Sequence, residues 1–279
     1  MFEPNCVIAL IAPEISIKSS FVRSFMVNKL KKNIILYLDH FGLEYENIYY
    51  VAGRLIIPTK DPKKVLSVLK NCFGVLSLCP AQSFEFDSLN DICSKVGGII
   101  EGRFSNESFA IRGKSFSKKF SSKKLEEELG GVVLNSFPKM KVKLKNPDKE
   151  VFCIVQNKNS FVYFESFSSV GGMPVGVQGK AGIICNSKTN KEDLFLVGKN
   201  LFKVGASIII VSNEVIDFDL SELEKFNSFI KIKTIPVALA RTYSENGGLK
   251  AFFSCAKNES DFKTDCELIG EKVFAPLLF

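Results

Sequence analysis

The sequence has no tryptophan, a single histidine and no pair of cysteines separated by two residues. A zinc site built from closely spaced cysteine and histidine ligands therefore has nothing to stand on, and no metal is expected. His40, in Leu38-Asp39-His40-Phe41-Gly42, reads as a helix-end residue favoured by the helix dipole, with no general-base role. The eight cysteines are scattered and several sit inside apolar runs, so they are read as buried, reduced, small hydrophobes and not as a disulfide framework. No stretch approaches the roughly 20 apolar residues that cross a bilayer. The longest runs, Val7–Ile11 and Ser207–Val211, are strand-sized. The N-terminus lacks a basic region followed by an apolar stretch and a cleavage site, so the expected location is the cytoplasm, with no membrane partner.

What is present is a chain of 279 residues, 46% hydrophobic and 24% charged, which suits two or three folded domains. Its net charge of +7 is unevenly placed. Between Arg112 and Lys145 lie ten of the 37 basic residues and three of the 30 acidic ones, so this window carries the whole excess and the remainder is neutral. Such concentration is the footprint of a polyanion partner.

Periodicity gives the organisation. The first segment reads as strand Val7–Ile11, an amphipathic helix with Phe21, Phe25 and Met26 at helical spacing, and a hairpin of Asn47–Val51 and Arg54–Ile57. A helix opened by Asp61-Pro62 and a strand Gly74–Leu78 complete a β-α-β-β-α-β, ferredoxin-like order. A second unit has helices near Leu89–Ile100 and Ser122–Asn135, a strand Ser108–Lys114, and a meander of Lys139–Leu144, Val151–Gln156 and Phe161–Glu165. After Gly171-Gly172-Met173-Pro174-Val175-Gly176, strand Gly182–Cys185, helix Glu192–Lys203 and strand Ser207–Val211 imply a buried parallel sheet. The fold class is thus mixed α+β followed by α/β.

Two strands of the second unit have one basic face. Phe109 and Ile111 point opposite to Arg112 and Lys114, and Lys139, Lys141, Lys143 and Lys145 point opposite to Met140, Val142 and Leu144. Lys118, Lys119, Lys123 and Lys124 flank a helix start at Ser121-Ser122, where free N–H groups can hold a phosphate. Lysine also guards sheet edges against aggregation, but the concentration of the net charge favours nucleic acid. Phe104, Phe116 and Phe120 lie near this window as candidates to stack unpaired bases, with core packing as the competing fate. Gly179-Lys180 does not complete a phosphate-binding P-loop, because Pro174 stands at the first glycine position and Ala181 replaces Ser/Thr; the run is read as a linker.

These motifs carry a resemblance. Pro13-Glu14-Ile15-Ser16-Ile17-Lys18-Ser19 with Val22 and Arg23, then Phe109-Ala110-Ile111-Arg112-Gly113-Lys114, Phe120-Ser121-Ser122 and Gly130-Gly131 resemble the tRNA 4-thiouridine synthetase (tRNA sulfurtransferase) family. Lys141-Val142-Lys143-Leu144-Lys145-Asn146-Pro147-Asp148 and Gly171–Gly176 continue the same register. The resemblance implies a ferredoxin-like domain (1–78), a THUMP RNA-binding domain (79–168), a linker (169–180) and a shortened Rossmann-like, PP-loop-type ATP-pyrophosphatase domain (181–279). It also implies a grip on the tRNA acceptor end, assigned here to Arg112, Lys114, Lys118, Lys119, Lys124, Lys141 and Lys143, with Lys18 and Arg23 adding contacts from the first domain.

In that family the third domain adenylates a uridine and a cysteine persulfide supplies sulfur. Its Ser-Gly-Gly-x-Asp-Ser loop lets backbone N–H groups approach the pyrophosphate. Here the loop is Asn186-Ser187-Lys188-Thr189-Asn190-Lys191-Glu192-Asp193, with no Gly-Gly pair. Asp193 stands at the acidic position, Asn186 and Ser187 are the remaining nucleotide-binding candidates, and Cys185 is the leading sulfur-carrying candidate ahead of Cys255 and Cys266. The run Phe274-Ala275-Pro276-Leu277-Leu278 resembles the family's Arg-Pro-Leu strand without its arginine. The expectation is a tRNA-binding protein without its own adenylation activity, using ATP only if the divergent loop is active. The alternatives are an active sulfurtransferase, or a subunit that presents tRNA to a separate catalytic or sulfur-donor protein; a homodimer is compatible with each.

Overall fold

The computed structural model describes residues 1–104, 107–270 and 272–277, so Leu278 lies outside the described residues. The elements run β1 (Cys6–Ile11), α1 (Pro13–Ser16), α2 (Ser20–His40), β2 (Tyr49–Val51), β3 (Arg54–Pro58), α3 (Pro62–Leu69), β4 (Val75–Glu85), α4 (Leu89–Ile100), β5 (Ser108–Ser115) and α5 (Ser122–Ser136). They continue with β6 (Lys141–Val142), β7 (Lys149–Gln156), β8 (Asn159–Tyr163), β9 (Phe167–Ser168), β10 (Lys180–Ile184), α6 (Lys191–Lys203) and β11 (Ser207–Val211). Last come α7 (Ser221–Glu224), β12 (Thr234–Ile235), α8 (Val237–Glu245), β13 (Ala251–Ser254), α9 (Glu259–Ile269) and β14 (Val273–Phe274). Two compact units emerge, one of Met1–Ala9, Glu44–Ser67 and Leu78–Phe167, the other of Leu10–Leu43, Val68–Ser77 and Ser168–Phe279.

In the first unit the strand order is β2-β3-β1-β4-β8-β7-β5-β6. Its first four strands have the ferredoxin-like order. The β2–β3 hairpin closes at Ala52-Gly53, both in the left-handed region, with Val51 opposite Arg54. From β4 the sheet passes through antiparallel β8 and β7 to β5, which is parallel to β7. Alternation decides the two faces. Val151, Cys153 and Val155 pack with Phe109, Ile111 and the inner residues of α4 and α5, among them Ile92, Val96, Leu125 and Leu129. Ile154 turns the other way and packs with Cys6, Ile8, Val51, Ile56 and Phe161. Turns at Asn146 and Asn157 use positive φ, which asparagine tolerates.

Two sequence expectations are corrected here. The Lys139–Leu144 segment is not a meander strand: only Lys141–Val142 is strand, and it pairs parallel with β5 at the sheet's edge. Met140 is buried, but Val142 and Leu144 are exposed, since their alternation has no second apolar layer to meet. On α2, Phe21 and Phe25 face solvent. The buried stripe is Met26, Leu30, Ile34 and Leu38, about 100° round the helix from Phe25.

In the second unit β12-β11-β10-β13-β14 form a parallel sheet. Ile183, Cys185, Ile208 and Ile210 pack on α6 through Leu194, Val197, Leu201 and Phe202. Ile184, Ile209, Val211 and Phe252 pack on the other face with Val237, Ala240 and Ile269. Burial on both faces explains the near-continuous apolar strands. Gly182 leaves room for Phe252, whose Cδ1 would stand 2.8 Å from a Cβ there. Helix α2 is tied within this unit by Asn33 Nδ2 donating to Val175 O at 3.1 Å, and by the Tyr37 hydroxyl, which lies within hydrogen-bond reach of the carbonyls of Asn71 and Lys225. His40 ends α2 and its ring stacks on Phe229 at 4.1 Å. Among the described residues, no helix is long and apolar enough to cross a membrane.

Candidate nucleic-acid interface and nucleotide loop

The basic window folds into one tied corner of the first unit. The α5 N-terminus is capped by Ser121, whose Oγ accepts the Lys124 N–H at 3.2 Å. Ser122 Oγ accepts the Ser115 N–H at 2.9 Å, and Glu126 Oε1 accepts the Gly113 N–H at 2.9 Å. Glu126 is thus turned onto β5, and Glu127 faces Lys123 at 3.7 Å, so two of the window's three acids are occupied locally. On β5 Phe109 and Ile111 are buried while Arg112 is half-buried and Lys114 exposed, as alternation requires.

Arg112 is committed within the fold. Its Nε lies 2.8 Å from Glu150 Oε1 and its Nη2 donates to Leu144 O at 2.9 Å. Together with the Lys143 N–H bonding Phe109 O at 2.9 Å, it fastens the lysine-rich β6 segment beside β5. Lys119 reaches the Asp87 carbonyl at 3.4 Å. Lys114, Lys118, Lys124, Lys141 and Lys143 are exposed and make no ion pair among the described residues. Phe104 sits in the core against Phe137 and Phe164, and Phe120 packs near Phe86, leaving Phe116 as the exposed ring of the three candidates. Lys18 and Arg23 belong to the second unit. Lys18 is exposed, and Arg23 Nη1 donates to Ser16 O at 3.2 Å.

In the parallel sheet β10 has β11 on one side and β13 on the other, so the order reverses beside it, and ligands of such sheets bind at the carboxyl ends of the strands there. A crevice of about 210 Å³ opens at this point, lined by Asn186, Lys188, Asn190, Asp193, Lys257 and Asp265 among others. Two helix N-termini meet it with matching caps. Asn190 Oδ1 accepts the Asp193 N–H at 2.8 Å, and Asn258 Oδ1 accepts the Asp261 N–H at 2.9 Å. The nearly buried Asp193 carboxylate lies 2.8 Å from Lys257 Nζ, and Lys188 pairs with Asp261. Asp265 accepts hydrogen bonds from Ser254 Oγ at 2.6 Å and Asn186 Nδ2 at 3.3 Å.

The loop satisfies itself. The Asn186 N–H donates to Thr189 Oγ1 at 3.1 Å, the Lys188 N–H to Asn186 Oδ1 at 2.9 Å, and the Thr189 N–H to Asn186 O at 3.0 Å. Ser187 is exposed. In a phosphate nest successive N–H groups point at the ligand; here those of Asn186, Lys188 and Thr189 point at the loop's own oxygens.

Cys185 is buried just past the end of β10, beside Cys255 just past the end of β13. Its thiol is pushed far up, first by its hydrogen bond with Cys255 and then by burial, the opposite of what an accessible thiolate needs. All eight cysteines are free, with Cys93 and Cys266 half-buried and the rest buried. Lys188, Lys257, Asp261 and Asp265 were not singled out in the sequence. The repeated Asn-x-x-Asp of Asn190–Asp193 and Asn258–Asp261, each opening a helix, is the signal that marks both sides of the crevice.

Burial raises the Asp265 carboxyl above its ordinary value. A raised folded value means stability that is present below the unfolded value of about 4 and lost as pH rises through the folded one. Asp265→Asn removes that loss. Denaturation midpoints of the variant therefore gain on the parent as pH rises above about 4; a difference that stays constant with pH excludes this account of Asp265.

The THUMP domain family matches residues 86–165 and the ThiI ferredoxin-like domain family matches residues 8–79. A probable tRNA sulfurtransferase of Methanosarcina acetivorans is 34% identical over 190 residues, 65% of this chain and 45% of that protein. One from Bacillus velezensis is 30% identical over 175 residues, 60% of this chain and 42% of that protein. The chain spans less than half the length of these curated relatives. The crystal structure of PH1313 from Pyrococcus horikoshii has a TM-score of 0.79 at 23% identity, covering 98% of this chain and 94% of that one. A 4-thiouridine synthetase–RNA complex with bound ATP has a TM-score of 0.73 at 18% identity, covering 99% and 81%. At these identities the likeness is of fold, and it includes the parallel sheet.

Proposed function

This chain belongs to the tRNA 4-thiouridine synthetase (tRNA sulfurtransferase) family, and on that footing we propose that it grips the acceptor end of a tRNA while carrying no adenylation chemistry of its own. Support for the grip comes from five exposed lysines, without an ion pair among the described residues, on a capped strand–helix corner of the THUMP domain. The loss of adenylation rests on one observation: the N–H groups of Asn186, Lys188 and Asp193 donate to side chains of the segment from β10 into α6 and not outward to a ligand. With Lys188 held by Asp261 and Lys257 by Asp193, the residues present do not fit a triphosphate. In this reading the protein presents tRNA to a separate catalytic partner.

A second reading is favoured by the crevice itself. It sits at the reversal of strand order and keeps Asp193 at the start of α6, as an active sulfurtransferase with a divergent loop would. One experiment separates the two. Purified protein is titrated with tRNA, with and without ATP and a sulfur donor, and the tRNA nucleosides are then analysed by mass. Salt-sensitive tRNA binding with no ATP binding and no thiouridine is the expected result; ATP-dependent thiouridine formation overturns the proposal.

A further inference from the structure

A second crevice, of about 400 Å³, lies in the second unit at the opposite edge of the parallel sheet. That volume is within the range of about 300–1,000 Å³ typical of small-molecule sites. Lys180 opens β10, Ser207 opens β11, and Lys233 immediately precedes β12, so the amino ends of three neighbouring strands form its wall. Lys29 and Lys231 complete a rim of four ammonium groups, and no carboxylate lines the crevice among the described residues. Lys231 is matched by Glu224 at 3.0 Å. Lys29, Lys180 and Lys233 make no ion pair among the described residues. Below the rim the buried side chains of Asn33, Asn227 and Ser228 stand among apolar Val175, Ile208, Ile209 and Ile230.

Part of this arrangement comes from the glycine-rich run that fails as a P-loop. Gly176 has φ +90°, and a Cβ there would stand 2.8 Å from Lys29 Cε and 3.0 Å from its Nζ. Only a residue without a side chain leaves Lys29 that position against the backbone. Gly179 and Lys180 follow on the same wall. The sequence thus keeps a Gly-Lys pair at a crevice mouth, but a strand follows it where a P-loop has a helix. Three lysines without an ion pair lining one crevice, beside a fourth matched by Glu224, are the chemistry that holds phosphate oxyanions.

We infer that this lysine-rimmed crevice is a phosphate-binding site, separate from the basic face of the THUMP domain and from the loop between β10 and α6. Its ligand is a phosphate-bearing group, taken either from the backbone of a bound RNA or from a free polyphosphate. The inference does not depend on the tRNA reading above, since inorganic pyrophosphate tests it alone.

The test uses the full chain and the variant Lys180→Ala/Lys233→Ala, both positions being exposed, with Lys114→Ala/Lys119→Ala as the control for general charge in the pyrophosphate titration and Lys123→Ala in the tRNA titration. Each is titrated calorimetrically with inorganic pyrophosphate at low salt and, separately, with tRNA across a salt series. If the source is RNA, the crevice variant binds tRNA about tenfold more weakly and its log–log salt slope falls by about two. If the source is a free polyphosphate, the parent and the control bind pyrophosphate and the crevice variant loses at least about tenfold of that affinity. Either result supports the site. Unchanged binding of both probes by the crevice variant overturns it, as does an equal loss of pyrophosphate binding in the control. A parent that binds pyrophosphate here but no tRNA defeats the tRNA reading and leaves this one standing.

Discussion

Replacing Lys114, Lys119, Lys141 and Lys143 together by Ala weakens tRNA binding about a hundredfold near 0.1 M salt and lowers the log–log salt slope by about three. The change of slope follows from counterion release, at about 0.7–0.9 per neutralised phosphate, if each lysine meets one phosphate. Among the described residues Lys114, Lys141 and Lys143 are exposed without ion pairs, and the Lys119 ammonium makes a long bond to the Asp87 carbonyl. Stability is therefore expected to hold, each surface change shifting it by no more than about 0.5 kcal/mol. Arg112 makes a poorer probe despite lying in the same window. Its guanidinium joins Glu150 and the Leu144 carbonyl, so Arg112→Ala would release the β6 segment and mix lost charge with lost structure. Lys123→Ala, which removes a cation already facing Glu127, is the matched low-effect control. An unchanged slope in the quadruple variant removes this face from the footprint.

The features legible in the sequence are those set by local period. The 2.0 period of Ser108–Ser115 and the 3.6 period of Ser122–Ser136 are visible in any window, and the structure reproduces both elements. The same holds for the β10–α6–β11 unit, whose strands are apolar throughout because both faces are covered. Period misleads where the partner layer is missing. Lys139–Lys145 alternates as a buried strand does, yet it lies at a sheet edge, with Val142 and Leu144 exposed. On α2, Phe21 and Phe25 look like core residues by type, but the stripe through Met26, Leu30 and Ile34 is the one that is buried. The crevices are less legible still. Asn186 meets Asp265 because Ile184 lies opposite Ser254 in the β10–β13 register, 70 residues apart. Lys29, Lys180 and Lys233 share a crevice through contacts that no local window contains.

That β10–β13 junction is where a single substitution should cost most. Phe252 is 1% exposed and opposite Gly182 in the register, with its ring over the glycine. Around it stand Ile184, Ile209, Val211, Val237 and Leu249. Phe252→Ala opens a cavity that Gly182 cannot fill, since it has no side chain to move into the space. The expected loss is about 3–5 kcal/mol, a large part of the roughly 5–15 kcal/mol that holds a domain folded. The reciprocal change has the opposite fault. In the parent, Gly182→Ala places a methyl 2.8 Å from the Phe252 ring and 3.0 Å from Val211 Cγ2, which costs stability by overpacking. With the ring gone, that methyl occupies part of the cavity. The double variant should therefore lose less than the sum of the single losses, with a coupling of about 1 kcal/mol or more, as residues in contact show. Urea midpoints of the four proteins measure the cycle. Additive losses would mean that Gly182 and Phe252 do not share this space, and the packing that brings Asn186 to Asp265 would need another origin.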